Sequence, residues 1–107
     1  QVSLAIPERL PPLPAAVEVA VYRIAQEAAT NVVRHAGATR CAIALAIDEP
    51  AGRLSLTVED DGRGIAAGQA AGVGLSSMRE RAAELGGSLA VTSGAEGGTI
   101  VRVELPF

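Results

Sequence analysis

The sequence predicts an α+β domain: a two-layer α/β sandwich whose helices lie on one face of a mixed, mainly antiparallel sheet. Three observations carry this. The stretch from Ala15 to Ala36 has no Gly or Pro and places apolar residues at steps of three or four. Several short apolar or alternating runs are bounded by turn residues, as strands are. Their order, β-α-β-β-loop-α-β-β, interleaves strands and helices without the strict alternation of a parallel α/β fold. With 107 residues, one core is expected, burying roughly 65% of the unfolded surface, so residues 1–107 read as one domain.

The elements follow in order. Val2, Leu4 and Ile6 alternate with Ser3 and Ala5, a short strand halted by Pro7. Pro11 to Pro14 form an entry loop. In the long helix Val17, Val21, Ile24, Ala28 and Val32 make the apolar stripe, and Gly37 ends it. Cys41 to Ile47 and Leu54 to Val58 read as a hairpin about the turn residues Asp48 to Gly52. Glu59 to Gly64 is too polar and Gly-rich to continue that strand. Ala66 to Gly74 contains only Ala, Gly, Gln and Val, which predicts a mobile loop. Leu75 to Leu85 has helical spacing with a left-handed stop at Gly86-Gly87, and Ser88 to Thr92 and Thr99 to Leu105 close the sheet.

Composition excludes several function classes. A formal charge of -3 and an aromatic content of 2% give neither the basic surface nor the stacking platforms that nucleic-acid binding needs. The single Cys41 allows no internal disulfide and no thiolate metal cluster, which fits a reduced, cytoplasmic setting. No run approaches the roughly 20 apolar residues of a membrane span, so no membrane contact is expected of this chain. A start at Gln1 instead of Met reads as a fragment, whose parent protein is free to carry an anchor elsewhere.

Three features carry chemistry. Arg23, Glu27, Asn31 and His35 stand four apart with Arg34 three beyond Asn31, one ridge on one helix face. Asn31 offers a neutral oxygen to Mg²⁺, Arg34 and His35 suit phosphate oxygens, and Glu27 is placed to orient or deprotonate a nucleophile. Read alone, the ridge is equally the solvated face of a surface helix, and His35 a residue favoured by the helix dipole. In Asp60-Asp61-Gly62-Arg63-Gly64 an acid ends a strand and glycines follow at alternate positions. An ionised Asp only accepts hydrogen bonds and so suits the amino group of adenine, although an ordinary Asp-Gly turn has the same signature. Gly72-Val73-Gly74-Leu75 leads into the second helix, a ready anion site at a helix N-terminus or simply a flexible loop, with Ser76 and Ser77 available as caps. The Gly-Lys-Ser/Thr ending of a Walker A loop is missing.

Taken together, Gln26-Glu27-Ala28-Ala29-Thr30-Asn31-Val32-Val33-Arg34-His35, Asp60-Asp61-Gly62-Arg63-Gly64, Gly72-Val73-Gly74-Leu75 and Gly97-Gly98-Thr99 resemble the ATPase superfamily of histidine kinases, gyrase, the Hsp90 chaperone and MutL. The resemblance runs from Leu13 to Phe107. Gly74-Leu75-Ser76-Ser77-Met78-Arg79-Glu80-Arg81-Ala82 and Leu85-Gly86-Gly87 resemble the sensor-kinase branch of the nitrate sensor and the lipid-fluidity sensor DesK.

The resemblance implies a Bergerat-type ATP-binding fold, ATP and Mg²⁺ as ligands, and phosphoryl transfer to a histidine on a separate upstream dimerisation domain, then to a response regulator. It implies that Asn31 coordinates Mg²⁺, that Glu27 is a general base, and that Arg34, where Lys is frequent, and His35 lie near the phosphates. It further implies that Asp60, and not Asp61, meets the adenine amino group, that Gly62 and Gly64 shape the adenine pocket, that Gly72, Gly74 and Leu75 belong to the phosphate side, and that Thr99 supports the adenine end. The ATP lid between Gly64 and Gly72 is short and lacks the Phe-containing box of larger kinases. The lone histidine, His35, is followed by Ala36 inside the Asn helix, not by an acid, so the acceptor belongs elsewhere. An ATP-hydrolysing conformational switch and an anti-sigma serine kinase share the fold and stand as alternatives.

Overall fold

The computed structural model describes residues 2–31, 40–61, 73–93 and 98–107. Strands β1 (Val2–Ala5), β2 (Cys41–Asp48), β3 (Arg53–Asp60), β4 (Ser88–Ser93) and β5 (Thr99–Pro106) form one sheet in the order β1-β2-β3-β5-β4. β1 runs parallel to β2, and the other three pairings are antiparallel. The sheet is therefore mixed, and the parallel pair arises because α1 (Ala15–Asn31) intervenes between β1 and β2. α2 (Val73–Glu84) connects β3 to β4.

Alternation sets the layers. Leu54, Leu56, Val58 and Asp60 on β3 are buried, as are Thr99, Val101, Val103 and Leu105 on β5, while their odd-even neighbours are more exposed. The register pairs Leu54 with Leu105, Leu56 with Val103 and Val58 with Val101, so these side chains share one face. On to that face α1 brings Val17, Ala20, Ile24 and Ala28, and α2 brings Met78 and Ala82. Helices on one face is the predicted arrangement. Fully burying a Leu, Ile or Val contributes about 1.5–3 kcal/mol, and Ile24, Leu54 and Leu105 are 0% exposed.

Ends of elements are set by identifiable contacts. The Pro14 carbonyl accepts from the amides of Val17 (3.0 Å) and Glu18 (3.1 Å), starting α1. α2 stops because Gly87 donates to the Ala82 carbonyl at 2.8 Å and Gly86 to that of Ala83 at 3.0 Å, with Gly86 at φ +81°. This left-handed cap is the stop predicted from Gly86-Gly87.

Several boundaries differ from the sequence expectation. β3 does not stop at Val58 but continues through Glu59 and Asp60, because Ala42 and Cys41 on β2 stand opposite them and supply a complete ladder for polar residues too. The hairpin turn shrinks to 49–52 since Asp48 pairs with Arg53. α2 begins at Val73, so Val73 and Gly74 are helical instead of part of a loop, and Ser76 and Ser77 lie inside the helix, not at its cap. Ile6 falls outside β1. The expected end of the first helix at Ala36-Gly37 and the loop over residues 66–72 lie outside the described residues.

Candidate nucleotide-binding site

The inner face of the sheet is apolar along β3 and β5 until their shared end, where two polar residues take over. Asp60 is 9% exposed and Thr99 5%. They are the next inward positions after the pair Val58 and Val101, so alternation puts a carboxylate and a hydroxyl side by side at the floor's edge. Cys41 faces Asp60 from β2 and is itself buried. Desolvation first, and the Asp60 charge second, push the Cys41 thiol above its ordinary range.

Asp60 and Asp61 are separated in role by the strand's end. Asp61 turns outward to Arg40: its Oδ1 accepts from the Arg40 amide at 2.9 Å, its Oδ2 lies 3.7 Å from the guanidinium Nε, and its own amide donates to the Arg40 carbonyl at 3.3 Å. That clasp fixes where β3 ends and so which of two adjacent acids points inward. Gly98 completes this corner. A Cβ there would overlap the carbonyl of Asp60, so only glycine lets the chain before Thr99 pass that close.

Beside this floor, α1 and α2 pack together as a helical wall. Between them lies a groove of about 170 Å³ with Arg23, Gln26 and Glu27 on one side and Ser77 and Arg81 on the other. Ile24 and Met78 form its apolar base. Of the predicted ridge, Arg23 and Glu27 are thus brought together on the α1–α2 seam. Asn31 is the last described residue of α1, one turn past Glu27. Gly74 and Leu75 fall in the first turn of α2. Arg34, His35, Gly62, Gly64 and Gly72 lie outside the described residues.

Sequence reading missed Gln26, Met78 and Arg81 as groove residues, and gave Gly98 no role of its own. The signal for Arg81 was available in its i,i+4 spacing from Ser77. Which face of α2 meets α1 was not. Among the described residues no cluster of three or more His, Cys, Asp or Glu is arranged to hold a metal. No helix among them is long and apolar enough to cross a membrane.

The chain belongs to the histidine kinase-, DNA gyrase B- and HSP90-like ATPase family, whose model matches residues 16–107. Within that family its similarity runs to sensor histidine kinases. It is 42% identical over 99 residues to the sensor histidine kinase MctS of Rhizobium johnstonii, covering 88% of this chain and 21% of that protein. It is 41% identical over 93 residues to the sensor histidine kinase LiaS of Bacillus subtilis, covering 85% of this chain and 25% of that protein. The chain therefore spans about a fifth to a quarter of the length of these curated relatives. Among solved structures, the histidine kinase domain of the blue-light activated kinase of Erythrobacter litoralis EL346 superposes with a TM-score of 0.77 at 27% identity, over 98% of this chain and 54% of that one. Full-length ShkA in complex with AMPPNP superposes with a TM-score of 0.80 at 25% identity, over 100% of this chain and 25% of that one.

Proposed function

We propose that this chain, residues 1–107, is the catalytic domain of a sensor histidine kinase of the nitrate-sensor and DesK-like branch, binding Mg-ATP and donating the γ-phosphate to a histidine on an upstream dimerisation domain. The observation that carries the reading is the buried pair Asp60 and Thr99 at the end of an otherwise apolar floor. An ionised carboxylate only accepts hydrogen bonds and so selects a donor on a ligand's edge. The exocyclic amine of adenine is such a donor, and guanine presents an acceptor at the same place. Thr99 stands beside Asp60 with a hydroxyl able to donate to, or accept from, the ring edge.

The donor set also fits Mg²⁺, which keeps several waters and takes one or two protein oxygens plus phosphates. Asn31 would hold it by its side-chain oxygen, and the ion would neutralise the developing phosphate charge. The start of α2 at Val73 gives free amides and a positive dipole end for an anion, with Gly74 and Leu75 in that first turn. Arg34 and His35 act on the phosphates, Glu27 orients or accepts the proton of the incoming nucleophile, and Gly62, Gly64 and Gly72 line the nucleotide. Catalysis is then positioning and charge neutralisation. The parent kinase passes the phosphoryl group to a response regulator, on the cytoplasmic side of any membrane it spans.

Calorimetry on Asp60→Asn tests the carrying observation. Losing the charge-assisted bond costs about 2 kcal/mol, a drop in ATP affinity of about 30-fold, with Mg²⁺ present throughout. Unchanged affinity overturns the assignment. Brisk ATP hydrolysis by the isolated chain would instead favour a conformational switch.

A further inference from the structure

The α1–α2 groove has a volume of about 170 Å³, too small for a nucleotide, whose sites run to roughly 300–1,000 Å³. It suits one or two protein side chains. Its rim carries two guanidiniums, Arg23 and Arg81, against one carboxylate, Glu27. The chain as a whole has a formal charge of -3, so this is a local reversal of sign. Among the described residues, Arg23, Arg81 and Glu27 form no ion pair with one another; the ion pairs are Arg40–Asp61 and Arg53–Glu104. The cationic rim is thus available to a visitor.

Helix arithmetic locates the groove relative to the phosphate end. Arg23 is eight residues from Asn31, and Arg81 is eight residues from Val73, the start of α2. At 1.5 Å per residue each is about 12 Å along its helix from the expected metal and phosphate positions. The backbone positions of the two arginines therefore stand about two turns from the expected phosphate end, while Glu27 lies between, about 6 Å along α1 from Asn31. A protein segment lying along this seam would carry a nucleophile, two turns further on, to the expected phosphate end.

Building on the kinase reading above, we infer that the groove is a docking site for an acidic side chain, Asp or Glu, of the acceptor segment, carried about two helical turns from its histidine. Arg81 and Arg23 clamp that carboxylate while Ile24 and Met78 supply the apolar bed. They select and position the acceptor; they do not bind ATP. A planar guanidinium meets a carboxylate in a fork of two hydrogen bonds, which fixes orientation as well as proximity.

The test uses this chain with two labelled helical peptides of about 20 residues, a length that holds several turns. Each has a single central histidine, with Glu two turns away on both sides in one peptide and Gln at those places in the other. Fluorescence anisotropy is read with and without Mg²⁺ and a non-hydrolysable ATP analogue. The Glu peptide is expected to bind at least about tenfold more tightly. Arg81→Gln with Arg23→Gln reduces that preference below about twofold, Arg81→Lys retains part of it, and affinity for the ATP analogue is unchanged. Equal binding of both peptides, no binding of either, a preference that survives the double substitution, or a parallel loss of analogue affinity each overturns the inference. Failure of the kinase reading appears separately, as absence of analogue binding by the unsubstituted chain, and the nucleotide-free titrations still decide the groove.

Discussion

The floor of the candidate site and the helical wall beside it are built on opposite principles. On the floor, Asp60 and Thr99 are buried and their neighbours are dictated by strand register. In the wall, Arg23, Glu27 and Arg81 are partly or fully exposed and meet only because two helices, far apart in sequence, pack side by side. A one-residue slip of a strand would reverse every side chain on it, so the floor has essentially one solution. The wall tolerates side-chain movement. The floor is suited to reading a flat, invariant ligand, and the wall to meeting a partner.

Substitutions separate the two. The largest effect is expected for Gly98→Ala, where the added methyl overlaps the Asp60 carbonyl. Relief requires moving β3 or β5, at a cost of at least about 3 kcal/mol, visible as a lower urea midpoint together with loss of ATP binding. A stable Gly98→Ala protein that still binds ATP would show that the floor is less rigid than argued. Asp61→Ala is expected to cost about 1 kcal/mol, since it removes the hydrogen bond from the Arg40 amide and a partly exposed ion pair that solvent screens. Its ATP affinity should fall by only a few-fold, in contrast to Asp60→Asn.

The smallest effect is a pH dependence. Burial and the Asp60 charge raise the folded-state value of Cys41, so the neutral thiol is favoured in the fold. Its contribution is complete below the ordinary thiol value of about 8.5 and is lost as pH rises through the higher folded value. Urea midpoints from pH 7 to about 10 should therefore decline more steeply for the native chain than for Cys41→Val. Parallel declines would place the alkaline sensitivity elsewhere.

The same contrast explains what sequence could reveal. The strands, the Schellman stop at Gly86-Gly87 and the one-sided helix layer were legible, because periodicity and glycine placement act locally. β3 was read as ending two residues early because Glu59 and Asp60 are poor strand formers in isolation; pairing with Ala42 and Cys41 overrides that preference. The start of α2 was read late for a related reason, since Gly74 disfavours helix by about 1 kcal/mol yet lies within it. Spacing puts Arg81 on one face of α2 with Ser77, but nothing local tells that this face meets α1.

The Arg40–Asp61 clasp has a mechanical meaning. Arg40 is where the chain joins the sheet before β2, and Asp61 is where it departs after β3. Backbone and side-chain bonds fasten these two points together. A tug on the chain at Asp61 is therefore met first at Arg40, just before β2, as a cable clamp takes the load before it reaches the connector. The inward carboxylate stands one residue inside that fastening.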